Sequence, residues 1–163
     1  APAVANVVDW GKDYYAAIQF NHLPASQSNP ILIGWTNNWA YAGSLPTTPF
    51  KGAMSLPRQI SLKRTAEGLQ LVQRPISAVN ALRGAAPKLA GVRLSNRQEV
   101  FTKTTDNAYE LTLDLVPGNA QSAGIRLAKG TNEETVLRYA NGNLQLDRRR
   151  SGNVGFHKSF PSV

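Results

Sequence analysis

A chain of 163 residues and 17.7 kDa is long enough for one ordinary domain or parts of two, with a real hydrophobic core. Hydrophobic residues make up 42% and charged residues 17%, with 13 Gly and 10 Pro, a balance that argues against disorder and favours a loop-rich all-β fold. The net charge is +8, and with no Cys and only two His the sequence excludes disulfides, thiolate metal sites, cysteine nucleophiles and a histidine-rich metal centre.

The charge is unevenly placed. Residues 1–60 carry Lys12, Lys51 and Arg58 against Asp9 and Asp13, a net of +1, so the remaining +7 lies beyond residue 60. The aromatic residues run the other way, with six of the eight Trp and Tyr in the first 41 positions. That contrast predicts two structural units. No apolar run approaches the roughly 18 residues of a membrane helix, and residues 1–8 are apolar without the positive start of a signal peptide.

In chain order, residues 14–20 read as a strand, closed by the polar stretch 24–30. Ile31-Leu32-Ile33-Gly34-Trp35 is a second, apolar on both faces and therefore expected to be buried on both. Residues 54–56 and 59–63 are expected strands around Pro57. Residues 69–73 follow the Glu67-Gly68 turn as the hairpin partner of 59–63. Ile76, Val79 and Leu82 then permit one short helical turn ending at Gly84. Further strands are expected at 99–102 and 108–115. In the latter, Tyr109, Leu111, Leu113 and Leu115 alternate with Glu110, Thr112 and Asp114 in the clearest period-two pattern of the chain. Strands at 124–128, 134–139 and 143–148 complete the set, the last two joined by Asn141-Gly142, a strong hairpin signal. The spacing of turns suggests a sandwich for this second part.

Groups able to do acid–base or nucleophilic chemistry are scarce. Asp9 and Asp13 would stand about 13 Å apart on one extended strand, wider than paired glycosidase carboxylates, and read as turn acids around Gly11. Glu133 and Glu134 fall in a polar turn and are expected to be solvated. His22 and His157 read as surface or packing residues, and no nucleophile elbow, phosphate loop or zinc-protease helix occurs. Arg148-Arg149-Arg150 is not a one-sided stripe, because a strand points alternate residues to opposite faces. It reads as a solvated edge strand rather than a nucleic-acid surface. The stretch Gly34-Trp35-Thr36-Asn37-Asn38-Trp39-Ala40-Tyr41 is different, placing flat apolar rings beside amide donors and acceptors, the chemistry that stacks on and hydrogen-bonds a sugar, although such a cluster read alone is more often core and turn than ligand site.

Four segments, Val8-Asp9-Trp10-Gly11-Lys12-Asp13-Tyr14-Tyr15-Ala16, Ile33-Gly34-Trp35-Thr36-Asn37-Asn38-Trp39-Ala40-Tyr41, Pro46-Thr47-Thr48 and Gly52-Ala53-Met54-Ser55-Leu56-Pro57-Arg58, resemble glycoside hydrolase family 32 in order and spacing. These are the invertases, inulinases and levanases. The likeness is most specific over residues 8–63 and continues more weakly through 71–82 to Leu144-Gln145-Leu146-Asp147-Arg148 and Ser151-Gly152. It implies the last blade of a five-bladed β-propeller over residues 1–66, a linker over 67–84 and part of a C-terminal β-sandwich over 85–163. The implied parent is a secreted or periplasmic retaining β-fructosidase acting on fructans or sucrose, with no metal or organic cofactor. Such a parent has three catalytic carboxylates in earlier blades, and none of their motifs occurs here, nor does the sandwich strand with an aspartate-arginine-serine run. The chain is therefore expected to be inactive alone and to depend on the remaining blades, in the same or another chain. What the resemblance carries over is a substrate wall: Trp39 for stacking, with Trp35, Asn38, Asp9 and Tyr15 around it. The competing expectation is a non-catalytic carbohydrate-binding or structural β-sandwich module. Neither nucleic acid nor membrane is expected as a partner.

Overall fold

The computed structural model describes residues 7–85, 88, 90–95 and 108–163. The chain divides into two compact units, Ala1–Ile76 with Leu115–Val163, and Ser77–Asp114.

The first unit contains two antiparallel sheets. In the first, β1 (Tyr15–Gln19), β2 (Ile31–Thr36), β3 (Ala53–Met54), β4 (Arg58–Thr65) and β5 (Gly68–Pro75) take the order β1-β2-β4-β5, with β3 also paired to β2. The β-branched and aromatic residues of β2 fit this central position, and Tyr15 lies opposite Trp35 in the β1–β2 ladder. β4 and β5 form the expected hairpin, paired over eight positions from Arg58↔Pro75 to Thr65↔Gly68. Its turn is held by the Thr65 hydroxyl, which donates to the Gly68 carbonyl and accepts the Glu67 N–H. Residues 68–75 thus belong to the first sheet, although they fall within the stretch expected as a linker. The second sheet has the order β6-β7-β8, with β6 (Ser122–Leu127), β7 (Glu134–Ala140) and β8 (Asn143–Arg150). Asn141 and Gly142 join β7 to β8 with φ of 51° and 77°, the left-handed pair of a type I′ turn.

Three expectations are corrected, and a fourth is not tested. Residues 108–117 carry no strand despite their alternation; alternation sorts side chains by face, but a strand also needs a hydrogen-bonding neighbour. The strand expected at 99–102 lies outside the described residues. β2 is half-buried rather than buried on both faces, Gly34 alone being fully covered. Glu134 is not a solvated turn residue: its side chain is 12% exposed and pairs with Arg126 and, at 3.6 Å, with Arg150.

The well-buried residues cluster around the end of β2. Tyr41 is 2% exposed and Ala42, Asn37 and Ser55 are also buried. The sheet faces elsewhere are open, with Ile18 and Leu62 on the first sheet and Leu144 on the second exposing most of their apolar surface. In the second unit, Ser77–Leu82 forms the short helical turn as a 3-10 helix, and Arg83 makes a two-pronged pair with Glu110 at 2.6 and 2.7 Å.

Candidate functional site

β2 ends at Thr36, and the next two residues turn the chain back on itself. The buried Asn37 accepts the N–H of Asn38 at 2.8 Å. Asn38 accepts the N–H of Ala40 at 2.9 Å and donates through Nδ2 to the Lys12 carbonyl at 2.8 Å. Short amide side chains make such local backbone bonds readily, which is why paired Asn serves a turn here. The result brings Trp39 beside Trp35, ring centroids 5.2 Å apart and planes inclined by 60°. Tyr15 meets Trp39 edge-on at 6.3 Å and 84°. Trp35 is backed by Gly52, whose φ is +80° and whose missing side chain would otherwise come within 2.5 Å of the indole Nε1.

Three aromatic residues are thus packed by edge-to-face contacts worth about 0.5–1.5 kcal/mol each, yet Trp39 remains 70% exposed and Tyr15 53% exposed. A rigid indole that is held in place but not covered is a surface suited to a ligand with an apolar face. It is a wall rather than a pocket: neither of two described clefts, about 270 Å³ beside residues 19–30 and about 250 Å³ beside Asn37 and Phe50, is lined by Trp39.

The sequence-derived site residues therefore divide. Trp35, Trp39 and Tyr15 converge, and Asn38 sits next to them with both ends of its amide engaged by backbone. Asp9 is directed elsewhere: one oxygen accepts the Gly11 N–H at 2.7 Å and the other pairs with Arg58 of β4 at 2.7 Å. The Arg58 guanidinium lies 4.2 Å from the centre of the Tyr14 ring. Asp13 takes a different arginine, Arg148 of β8, so the two aspartates are engaged separately rather than paired with each other.

Arg148 overturns the picture of a solvated arginine run. Its side chain is 14% exposed and points to Asp13, to the Tyr41 hydroxyl at 2.8 Å and to Ser162 Oγ at 2.8 Å. Arg149 pairs with Asp147, and Arg150 with Glu134 and the Asn132 carbonyl. The cause is a register shift between the pairs Glu134↔Arg150 and Val136↔Asp147. A bulge of this kind breaks strict alternation, so Arg148 and Arg150 need not share a face. Around this centre the Tyr41 ring packs against Phe160 at 5.5 Å and Phe156 at 6.2 Å, with His157 at 6.1 Å as a packing residue. Burial raises the Tyr41 pKa, and its bond to Asp13 raises it further. Burial opposes the Arg148 charge, but Tyr41 and Asp13 outweigh it and hold the guanidinium above its ordinary value. No sequence signal paired positions 13 and 148, which are 135 residues apart; the apolar neighbours Phe156 and Phe160 were the only hint that an arginine there would be covered.

Residues 2–75 match the N-terminal domain of glycosyl hydrolases family 32, and residues 78–163 match the C-terminal domain of the same family. The chain belongs to that family. It is 34% identical over 157 residues to a levanase of Bacillus subtilis (strain 168), covering 93% of this chain and 23% of that protein. It is also 34% identical over 168 residues to an extracellular exo-inulinase of Aspergillus awamori, covering 99% and 31%. The crystal structure of the Aspergillus awamori exo-inulinase superposes with a TM-score of 0.66 at 28% identity, over 94% of this chain and 31% of that one. The chain thus spans about a quarter to a third of the length of these relatives. The first sheet is a blade of the family's β-propeller, and the second is part of its C-terminal β-sandwich. The boundary between the two matched domains falls just after β5.

Proposed function

We propose that this chain is the part of a fructan- or sucrose-acting β-fructosidase that supplies one wall of the sugar-binding site, without the catalytic carboxylates. The observation that carries this reading is the exposed Trp39 indole, clamped by Trp35 and Tyr15 and left open on one side. Trp39 stacks on a fructose ring, Trp35 and Tyr15 hold its angle, Asn38 fixes the turn that carries it, and Asp9 braces β4 through Arg58 beside the same sheet. Domain organisation follows the order blade, connection, sandwich, with the connection beginning after Pro75, later than the residue 67 expected from sequence.

A retaining glycosidase needs a nucleophile and an acid about 5–5.5 Å apart. Asp9 and Asp13 are each committed to a different arginine, so neither is assigned such a role. The other blades provide the carboxylates and the remaining walls. The names levanase and extracellular exo-inulinase borne by relatives support fructan as substrate and a secreted or periplasmic location.

Migration of the chain in native gels containing levan or inulin tests the reading. Retardation is expected for the parent chain and for Trp10→Ala, and about tenfold weaker retardation for Trp39→Ala. The affinity should change little with added salt, whereas electrostatic binding to DNA would fall steeply. Equal retardation of Trp39→Ala and the parent would overturn the assignment, and release of fructose from levan, inulin or sucrose by this chain alone would overturn the absence of carboxylates.

A further inference from the structure

Trp39 lies in one of two short neighbouring segments that are not part of the ladder, Asn38 to Tyr41 after β2; the other is Lys12-Asp13, before β1. They are tied to each other by the Asn38 amide, which donates to the Lys12 carbonyl at 2.8 Å, and by the Tyr41 hydroxyl, which donates to Asp13. Both segments are also gripped from the second sheet and from the chain that follows it. Arg148 pairs through Nη1 with Asp13 and donates through Nη2 to the Tyr41 oxygen at 2.8 Å. Lys12 donates through Nζ to the Ser159 carbonyl.

Arg148 is itself immobilised. Its Nε donates to Ser162 Oγ at 2.8 Å, its backbone N–H donates to the Ser162 carbonyl at 2.9 Å, and its guanidinium lies 4.3 Å from the centre of the Phe160 ring. Three nitrogens of one planar group thus serve three partners, a geometry the single ammonium of lysine cannot reproduce. We propose that Arg148 is a positioning residue for the stacking tryptophan: through Asp13 and Tyr41 it fixes the turn at 38–41, so that the C-terminal sheet sets the angle at which Trp39 faces its sugar. The functional half of this statement rests on the reading of Trp39 as the sugar contact; the mechanical half does not.

The test uses the full 163-residue chain in a Trp10→Phe background, which leaves Trp35 and Trp39 as the only indoles. Two indoles 5.2 Å apart and inclined by 60° give a coupled circular-dichroism signal that depends steeply on their mutual angle. Arg148→Gln and Tyr41→Phe are expected to lose at least about half of that signal and to weaken levan retardation about threefold or more. Arg148→Lys, which keeps the charge but not the fork, should restore only part of both. Arg149→Gln, which removes an exposed side chain paired, among the described residues, only with Asp147 in the same strand, should leave both unchanged. If Arg148→Gln does not fold, Tyr41→Phe decides, because it removes one oxygen and keeps the packed ring. Parent-like coupling and affinity in a folded Tyr41→Phe or Arg148→Gln chain would overturn the proposal. Loss of coupling in variants of a chain that never binds levan would instead uphold the positioning and refute the sugar wall.

Discussion

Trp39 and Arg148 are two residues whose exposure runs against their type: the tryptophan is open to solvent and the arginine is covered. The first could be singled out from sequence because Trp, Asn and Tyr crowd into a few positions at the end of an apolar strand. The second could not, because its partners are distant in sequence and a bulge in β8 decides where it points. Gly52 belongs to the same scale. A methyl group there would meet Trp35 Nε1 at 2.5 Å and Asn37 Nδ2 at 2.8 Å, on a backbone whose φ of +80° suits glycine. Gly52→Ala should therefore cost about 1–3 kcal/mol in urea unfolding followed by tryptophan fluorescence. Asp147 gives a pH dependence. The Arg149 side chain, then the Arg149 N–H, hold its pKa down to about 2 against an ordinary 3.8. A depressed folded pKa stabilises above the unfolded value and loses that stabilisation as pH falls through the folded one. Between pH 4 and 2 the parent should therefore lose more stability than Asp147→Asn, by less than about 1 kcal/mol because the pair is open to solvent, as read from urea midpoints at each pH.

At the scale of elements, local chemistry set what could be read and pairing set what could not. The Asn141-Gly142 turn and the Glu67-Gly68 turn each announced a hairpin, and each hairpin formed in the expected place, because the backbone angles they require are written in the residues that tolerate them. Residues 108–115 carried a stronger alternation than either hairpin, yet formed no strand, because alternation says nothing about the neighbour that must complete the ladder. β5 shows the same limit in reverse. Its eight pairs with β4 bind it to the first sheet, and composition alone did not reveal where that sheet stops. Gly142→Val, which places a β-branched residue at φ 77°, is expected to destabilise the β7–β8 hairpin by about 1–2 kcal/mol. Faster amide exchange in β7 and β8, with β4 and β5 unchanged, would show it.

For the whole molecule, the excess positive charge and the proposed sugar-binding surface lie in different places. The +7 beyond residue 60 is spent in part on pairs that build the second sheet and on the Arg148 grip, while the proposed wall sits in the nearly neutral first third. The chain spans about a quarter to a third of its relatives, and its open apolar faces at Ile18, Leu62 and Leu144 support the proposal that further blades pack against it. In isolation the chain should self-associate with rising concentration, seen as a growing mass in light scattering, and Leu62→Lys should reduce it.

The most direct measurement is a titration of the chain with a short fructo-oligosaccharide, following the three indole N–H resonances by NMR. The Trp39 signal should shift most, Trp35 less and Trp10 not at all, with saturation little affected by salt. Equal shifts at all three, or a response at Trp10 alone, would contradict the wall.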